Sequence, residues 1–248
     1  MQGNRMKLLK LAPILLALAA PAFAATITAS GSDGANWNVN CPAGNPNTCV
    51  IGDTTVFAIQ SASLTVSNTG SGSADIKTNF GDSTLTPFTT ASTGSVTFSA
   101  ADMIITAGAN TYALILASHN GLNAGELYQI TGTQTAQTVL GNPSGTYRNS
   151  LPVWASSSGA VGLGSAGTVA ITTIGNGTSG PLYDISITGF TGAGALFTAG
   201  QFSFELASAT CGNGVVYGNT VPEPGTLALM GTALVGLAFL RRRNKARK

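Results

Sequence analysis

The histidine and carboxylate side chains are the residues of this chain that could do acid–base chemistry. His119, in the segment ASHNG, is the only histidine among the 248 residues. The sequence contains neither the H-E-x-x-H motif of metalloproteases nor the G-x-S-x-G motif of serine hydrolases, so neither activity is expected. An Asn/Gly turn is the simpler setting for His119, and we expect no catalysis from it.

Paired carboxylates are the one catalytic route that the sequence leaves open, because glycosidases use two acids that folding brings together. Asp184 and Glu205 lie on the polar faces of neighbouring candidate strands, where a solvated sheet places acids in any case. The eight acidic residues between positions 25 and 220 show no clustering. We therefore predict that the protein is not an enzyme, and Asp184 with Glu205 is the pair that would contradict this.

Two segments resemble ligand-binding motifs by spacing alone. GLGSAG, at residues 162–167, matches G-x-G-x-x-G, but the strand pattern TVAITTI follows it. A dinucleotide site needs a helix N-terminus there, so we interpret the match as chance. GSDGANWN offers calcium ligands but lacks the D-x-[DN]-x-[DN]-G spacing, and a turn explains its composition. We predict no cofactor and no metal site.

Period-two alternation of apolar and polar residues dominates the sequence between residues 25 and 220. Such alternation gives a strand one face for a core and one for water. Gly, Asn and Ser clusters separate the runs, as turns require. The candidate strands are VFAIQSASLTV, SVTFS, TYALILA, GTVAITTI, YDISIT and QFSFELA.

Many short strands with turn residues between them predict an all-β fold, a single antiparallel β-sandwich or jelly-roll-like domain over residues 25–220. Helical signal is nearly absent, although SAAD before MIITAG could cap one short helix. The sequence shows no convincing fixed-period repeat. A β-solenoid is the alternative topology.

The first 24 residues are typical of a secretory signal peptide. Arg5, Lys7 and Lys10 precede the apolar run LAPILLALAA, and PAFA supplies an A-x-A cleavage motif at Ala22 and Ala24. We predict cleavage between Ala24 and Ala25, with an uncleaved membrane anchor as the alternative.

Charge is distributed unevenly along the chain, although its formal net value is only +2. Between residues 25 and 220 there are eight acidic side chains and two basic ones, so this part is acidic. The basic residues concentrate at the two ends. A nucleic-acid partner is therefore not expected.

Export bears on the three cysteines, because an oxidising compartment favours disulfides. Cys41 and Cys49 flank the loop segment CPAGNPNTC, and Cys211 is remote from both. We favour a Cys41–Cys49 bridge, with Cys211 joined to one of the loop cysteines as the alternative. The spacing fits no zinc site.

The C-terminal segment VPEPGTLALMGTALVGLAFLRRRNKARK combines three features. Val221, Pro222, Glu223 and Pro224 come first; the prolines oppose helix formation and favour an extended segment. An apolar helix over residues 225–240 follows, about 24 Å long at 1.5 Å per residue. A basic stop-transfer cluster ends the segment, at Arg241, Arg242 and Arg243. This order predicts a transmembrane helix with its basic end in the cytoplasm and the β domain outside.

A proline-flanked glutamate, an apolar helix and an arginine cluster, placed behind a signal peptide, resemble the PEP-CTERM sorting signal of Gram-negative bacteria. The resemblance covers about 28 of the 248 residues. It implies recognition by exosortase, cleavage near the motif, and delivery to the cell surface or the extracellular polysaccharide matrix. A plain C-terminal anchor is the alternative.

These features predict an exported, non-enzymatic surface or extracellular-matrix protein, with an inner-membrane-tethered intermediate. Its expected partners are exosortase and the secretion machinery, the membrane before processing, and exopolysaccharide in a biofilm. A carbohydrate-binding or adhesive module is the second hypothesis, with Trp37, Trp154 or tyrosines stacking on sugars. A glycan-modifying enzyme is the third.

Overall fold

The computed structural model describes residues 26–32, 54–80, 97–141, 148, 150–177 and 180–220. Its strands are β1 (Thr26–Ser32), β2 (Ile59–Ser67), β3 (Gly72–Thr78), β4 (Met103–Ala107), β5 (Asn110–Leu114), β6 (Leu127–Ile130), β7 (Thr133–Thr135), β8 (Pro152–Ala155), β9 (Val161–Gly162), β10 (Thr168–Gly177), β11 (Gly180–Phe190), β12 (Ser203–Ala207) and β13 (Val215–Thr220). Three short helices accompany them in the described part, α1 (Thr54–Phe57), α2 (Ala136–Leu140) and α3 (Gly194–Ala199).

Eleven of these strands form one antiparallel sheet, in the order β10-β11-β3-β2-β1-β13-β12-β4-β5-β6-β9. β1 and β13, the first and last described strands, are neighbours in its middle. Ala29 lies opposite Thr220, and Ser30 lies opposite Asn219. The centre of the sheet is therefore built from the two ends of the described chain.

The main core lies on the inner face of this sheet, where the apolar residues of the alternating patterns converge. In β2, Ala62, Leu64 and Val66 are buried, whereas the residues between them are only half-buried. Ile185 and Ile187 of β11 are buried in the same cluster. Each fully buried Leu or Ile side chain contributes about 1.5–3 kcal/mol to folding.

The sheet curls, so that strands near its opposite edges share one core. Leu127 of β6 and Ile187 of β11 belong to the same buried cluster. The chain crosses between the edges just before β10, where the amide of Gly167 donates to the carbonyl of Gly125 at 2.8 Å. A Cβ at Gly167 would lie only 2.7 Å from the carbonyl oxygen of Thr188. This crossing therefore requires a glycine.

The strands β4, β5 and β6 are buried on both faces over part of their length, which the alternating pattern did not predict. Tyr112 and Leu114 of β5 face the main core, as expected. Ala113 of β5 and Ile104 of β4 face the other way and pack with Ala155 of β8 in a separate cluster. β7 and β8 form a two-stranded sheet that covers this face. The expectation of one water-facing side is wrong where this second cluster covers the strands.

The all-β prediction is confirmed: an eleven-stranded antiparallel curled sheet and a two-stranded sheet account for the described strands, with few helices. The β-solenoid alternative is wrong for the described residues, because all eleven strands pair antiparallel rather than stacking as parallel coils. The segment MIITAG, considered as a short helix, contains β4. In the candidate strand SVTFS, Phe98 is buried but belongs to none of the named strands.

In the parts of the chain that the structure describes, no helix has the length and apolarity needed to cross a membrane. The predicted signal peptide, residues 1–24, and the predicted transmembrane helix, residues 225–240, lie outside the described residues.

Candidate functional site

The sorting segment follows directly on a central strand of the sheet. Thr220, the last residue of β13, donates its amide to the carbonyl of Phe202 at 3.0 Å. Its hydroxyl accepts from the amide of Phe202 at 3.3 Å. The residue before Val221 is therefore fixed in the folded domain.

Both ends of the described domain leave it at the same end of the central strands. β1 runs antiparallel to β13, and Ala29 is the partner of Thr220. Thr26, where β1 begins, therefore lies beyond the end of β13 rather than at its start. Thr26 and Thr220, the first and last residues of these two strands, therefore lie at the same end of the sheet.

Most of the predicted site residues lie outside the described residues. These are the cleavage residues Ala22, Ala24 and Ala25, the loop cysteines Cys41 and Cys49, the motif residues Val221, Pro222, Glu223 and Pro224, and the cluster Arg241, Arg242 and Arg243. Their roles stay predictions.

Cys211 is the predicted site residue that the structure describes. Its side chain is buried, and its thiol is free. Burial raises the pKa of Cys211 to about 12, so the thiol is neutral at physiological pH. The alternative bridge from Cys211 to a loop cysteine is absent, whereas Cys41–Cys49 pairing stays a prediction.

His119 lies in the Asn/Gly turn that the sequence indicated. His119 and Leu122 exchange both backbone hydrogen bonds, at 3.1 and 2.7 Å. Asn120 and Gly121, between them, have φ of 47° and 81°. Two positive φ values suit Asn-Gly, which tolerates the left-handed region.

The side chain of His119 is not exposed, because it forms a buried pair with Asp102. Nε2 of His119 lies 2.9 Å from Oδ2 of Asp102, and the amide of Ala155 donates to the same oxygen at 2.7 Å. The Trp154 ring stacks on the imidazole with centroids 4.2 Å apart and planes at 5°. The indole N–H of Trp154 donates to the carbonyl of Ala100 at 2.9 Å.

This buried cluster ties β8 to the main sheet. Burial raises the pKa of the Asp102 carboxyl, and the hydrogen bonds from His119 and Ala155 partly oppose that effect. Nδ1 of His119 is buried and makes no hydrogen bond within the described residues. A nucleophile–base contact is therefore missing here. Trp154, predicted as a candidate sugar-stacking residue, is half-buried, and its ring stacks on His119.

Asp184 and Glu205 are not brought together. β11 and β12 are separated by β3, β2, β1 and β13, which places them about 24 Å apart along the sheet at 4.8 Å per strand. Glycosidase carboxylates lie about 5–10 Å apart. Burial alone raises the pKa of Glu205 to about 7, and one of its carboxylate oxygens has no hydrogen-bond partner among the described residues.

Asp184 instead neighbours a different acid, Asp75 of β3. Burial and then the negative charge of Asp75 raise the pKa of Asp184, while Lys77 opposes the shift. Lys77 lies 3.5 Å from a carboxylate oxygen of Asp75. The three residues form a compact charged centre on an open sheet face. Among the described residues, no group of three or more His, Cys, Asp or Glu side chains could hold a metal ion.

This centre lies within a surface that we call the hydroxyl face, the outward side of β1, β2, β3, β11 and β10. Its registers place Ser30, Ser63, Asp75 and Ser186 in one row across four strands. The hydroxyl residues on this face include Thr26, Thr28, Ser30, Ser61, Ser63, Thr65, Ser67, Ser73, Thr168, Thr172, Ser186 and Thr188. Their alternation is visible in SASLTVS and DISIT, but alternation alone does not indicate which strands lie side by side.

Comparison with known proteins adds one match. Residues 220–243 match the family model of the PEP-CTERM protein-sorting motif. No curated protein and no solved structure matches the chain. The matched segment begins at Thr220 and contains the motif residues 221–224 and the arginines 241–243. Such a motif implies export, a membrane-anchored sorting intermediate and processing by exosortase. Residues 220–243 of this chain are therefore a PEP-CTERM protein-sorting motif.

Proposed function

We propose that this protein is an exported, non-enzymatic component of the cell surface or extracellular matrix, associated with exopolysaccharide in a biofilm. The match of residues 220–243 to the PEP-CTERM sorting motif is the observation that carries the proposal. The signal peptide predicted over residues 1–24 supplies the route of export. Exosortase removes the terminal helix, and the β domain is delivered outside.

The junction at Thr220 supports this order of events. The amide and hydroxyl of Thr220 are bonded to Phe202, so β13 stays in the sheet when the following segment is removed. Pro222 and Pro224 lack backbone donors and favour an extended chain, which an enzyme can bind with little ordering cost. Processing then releases a complete domain.

The placement of the two ends supports a domain held at a membrane during export. Thr26 and Thr220 lie at the same end of the central strands. Both membrane-directed segments can therefore reach one bilayer without crossing the domain.

The proposed lack of catalysis rests on what the ionisable groups do. Asp102 and His119 are paired beneath the ring of Trp154. Asp184 and Glu205 are separated by four strands. An assay of turnover on polysaccharides of the protein's own matrix tests this part of the proposal.

The curled sheet supports a sandwich-like domain as the finer description of the fold. Its two halves, on either side of β1 and β13, contribute to one main cluster, as facing sheets of a sandwich do. A solution structure with two separated sheet layers would bear this out.

Intact-mass measurement of the matrix-associated protein tests the sorting. We expect the mature form to lack residues 225–240 and the basic cluster. Replacing both motif prolines, Pro222→Ala with Pro224→Ala, should leave the terminal helix attached, because the segment can then continue as helix. Thr226→Ala, two residues further on, is the matched control and should be processed normally. A wild-type surface form that still ends in Lys248 would restore the plain-anchor alternative.

A further inference from the structure

We propose that the hydroxyl face binds a neutral, hydroxyl-rich polysaccharide. This inference rests on the proposed function, since it requires that the domain reach the extracellular matrix. It assigns the contact to the outward side of β10, β11, β3, β2 and β1, and not to an aromatic platform.

The first support is the regular placement of polar groups. Ser63 pairs with Ser30 on one side and with Asp75 on the other, and Asp75 pairs with Ser186. Neighbouring strands lie about 4.8 Å apart, and same-face residues repeat about every 6.8 Å along a strand. The face therefore presents hydrogen-bonding groups in a two-dimensional periodic array, which suits a polymer with a periodic structure of its own.

The second support is preorganisation. Thr28 and Thr65, partners on β1 and β2, have hydroxyl oxygens 2.9 Å apart. These short side chains stand on strands that are paired on both sides, so they lose little conformational freedom on binding. Many weak hydroxyl contacts can then act together along one bound chain.

The charged centre adds both donors and acceptors. Burial and the negative charge of Asp75 raise the pKa of Asp184. Lys77 lies 3.5 Å from Asp75 and offsets part of the charge of the two carboxylates. A sugar hydroxyl both donates and accepts, and it can therefore bond to a carboxylate, a carboxyl group or an ammonium group.

The composition of the face disfavours other partners. Among the paired, described residues its side chains are hydroxyls, one Lys, two Asp and Ala170, with none of the aromatic or Arg anchors that dominate protein interfaces. One basic group beside two acidic ones does not attract nucleic acid, anionic lipid or an acidic polysaccharide. An uncharged polymer matches this charge balance. A shallow depression between β1 and β2, lined by Ser30, Ser61 and Ser63, is a place where such a polymer can bind.

Retention of the protein, as isolated from the cell surface, on insoluble polysaccharides tests the proposal. The probes are cellulose, insoluble β-1,3-glucan and xylan, with alginate beads and anionic lipid vesicles as charged alternatives. The hydroxyl variant combines Ser63→Ala, Thr65→Val and Ser186→Ala. The matched control combines Ser203→Ala, Thr106→Val and Thr111→Val, which form a row on the other half of the same sheet.

We expect the wild type to bind at least one neutral probe, with little change when salt is raised to about 0.5 M, since no net charge drives the contact. The hydroxyl variant should lose about tenfold in affinity, as two or three hydrogen bonds are removed. The control variant should stay within about twofold. Urea unfolding verifies that each variant is folded; if the hydroxyl variant is not, Thr172→Val with Thr188→Val at exposed positions replaces it.

Three outcomes would overturn the proposal. They are no retention of wild type on any neutral probe, equal loss in the control variant, and retention on alginate or vesicles alone. The C-terminal mass of the same preparations separates this test from that of the proposed function. A correctly processed protein without glycan binding contradicts only the hydroxyl-face proposal, whereas glycan binding with Lys248 still present contradicts only the sorting.

Discussion

The carboxyl group of Asp102 is completely buried, and Asp102 is bonded to two other parts of the chain. Oδ2 accepts from His119 in the turn after β5 and from Ala155 in β8, and the Asp102 amide donates to Val153 at 2.8 Å. Removing the carboxyl would leave a buried imidazole and a buried amide without an acceptor. Such losses cost more than the net value of a hydrogen bond.

We predict that Asp102→Ala lowers the free energy of unfolding by about 3 kcal/mol. Asp102→Asn should cost less, because the amide oxygen can still accept from Ala155 and His119.

The same carboxyl group makes stability depend on pH, because its pKa is higher in the folded protein than in the unfolded chain. The stability that comes from this difference in pKa is fully present below the unfolded pKa and is lost as pH rises through the folded pKa. Asp102→Asn removes that dependence. Urea unfolding at pH 5 and pH 8 measures the cost of each substitution and its pH dependence. Equal costs for Asp102→Ala and Asp102→Asn would contradict the role of Asp102 as the acceptor for Ala155 and His119.

Glu205 gives a second pH-dependent prediction. Its pKa is raised from 4.5 to about 7 by burial, so the folded domain holds a proton that the unfolded chain releases between these values. Stability from this group is therefore greatest below about pH 4.5 and falls as pH rises through 7. We predict that Glu205→Gln is more stable than wild type at pH 8, by about 1 kcal/mol because the side chain is partly exposed, and little changed at pH 5.

Ser203→Ala, on the same strand and face, is the control for Glu205→Gln. It replaces a side chain that does not titrate, so its effect on urea unfolding should be the same at both pH values. An equal gain for Glu205→Gln at pH 5 and pH 8 would mean that its effect is packing and not charge.

The residue-scale contacts show what local sequence can reveal. The Asn120-Gly121 dipeptide predicted the turn at His119, because the preference for positive φ is local. The pairing of His119 with Asp102 was not predictable, since it joins residues 17 positions apart beneath a tryptophan from β8. The sequence interpretation considered His119 without its partner.

At the scale of elements, glycine positions decide how closely segments cross. The chain before β10 passes β11 at Gly167, where a Cβ would lie 2.7 Å from the Thr188 carbonyl oxygen and 2.8 Å from the Phe190 amide nitrogen. A side chain at position 167 must displace this segment of the chain away from β11. The hydrogen bond from Gly167 to Gly125, which joins the two edges of the sheet, would then lengthen.

We predict that Gly167→Ala lowers the free energy of unfolding by about 1–3 kcal/mol, the usual cost of forcing extra volume into a packed site. Gly132→Ala is the matched control, because a Cβ at Gly132 meets no atom within 4 Å. Its effect should stay within about 0.5 kcal/mol. Thermal and urea unfolding measure both, and equal effects would mean that the crossing tolerates a side chain.

The positions of the strands along the chain could be predicted from the sequence, but the order in which the strands pair could not. β2, β11 and β12 follow the alternation in SASLTV, YDISIT and QFSFEL, because one-sided burial imposes period two. The order that sets β11 beside β3, and β13 between β1 and β12, depends on pairing over long sequence distances. The hydroxyl face appears only when that order is known, because its rows join residues from five strands. The same long-range pairing places Asp184 beside Asp75 and away from Glu205.

At the scale of the whole molecule, the first and last described strands close the sheet together. β1 pairs with β2 over its full length and with β13 on its other side. During export the N-terminal strand emerges first, so its pairing with β13 waits until the last strand has crossed. Long-range pairings of this kind form late, because loop closure must come before their contacts. The sheet is then complete only when the sorting motif has reached the membrane.

A cysteine pair tests this closure. Ser30 and Asn219 are exposed Cα partners on β1 and β13, at the Cα separation of about 4.5–5.5 Å that a disulfide accepts. We predict that Ser30→Cys with Asn219→Cys forms a bridge in the exported protein, detected by peptide mapping without reduction. Ser30→Cys with Ser203→Cys is the control, because β13 separates these residues by about 10 Å, beyond the reach of a disulfide. A bridge in the control, or none in the β1–β13 pair, would mean that the two ends do not meet in the middle of the sheet.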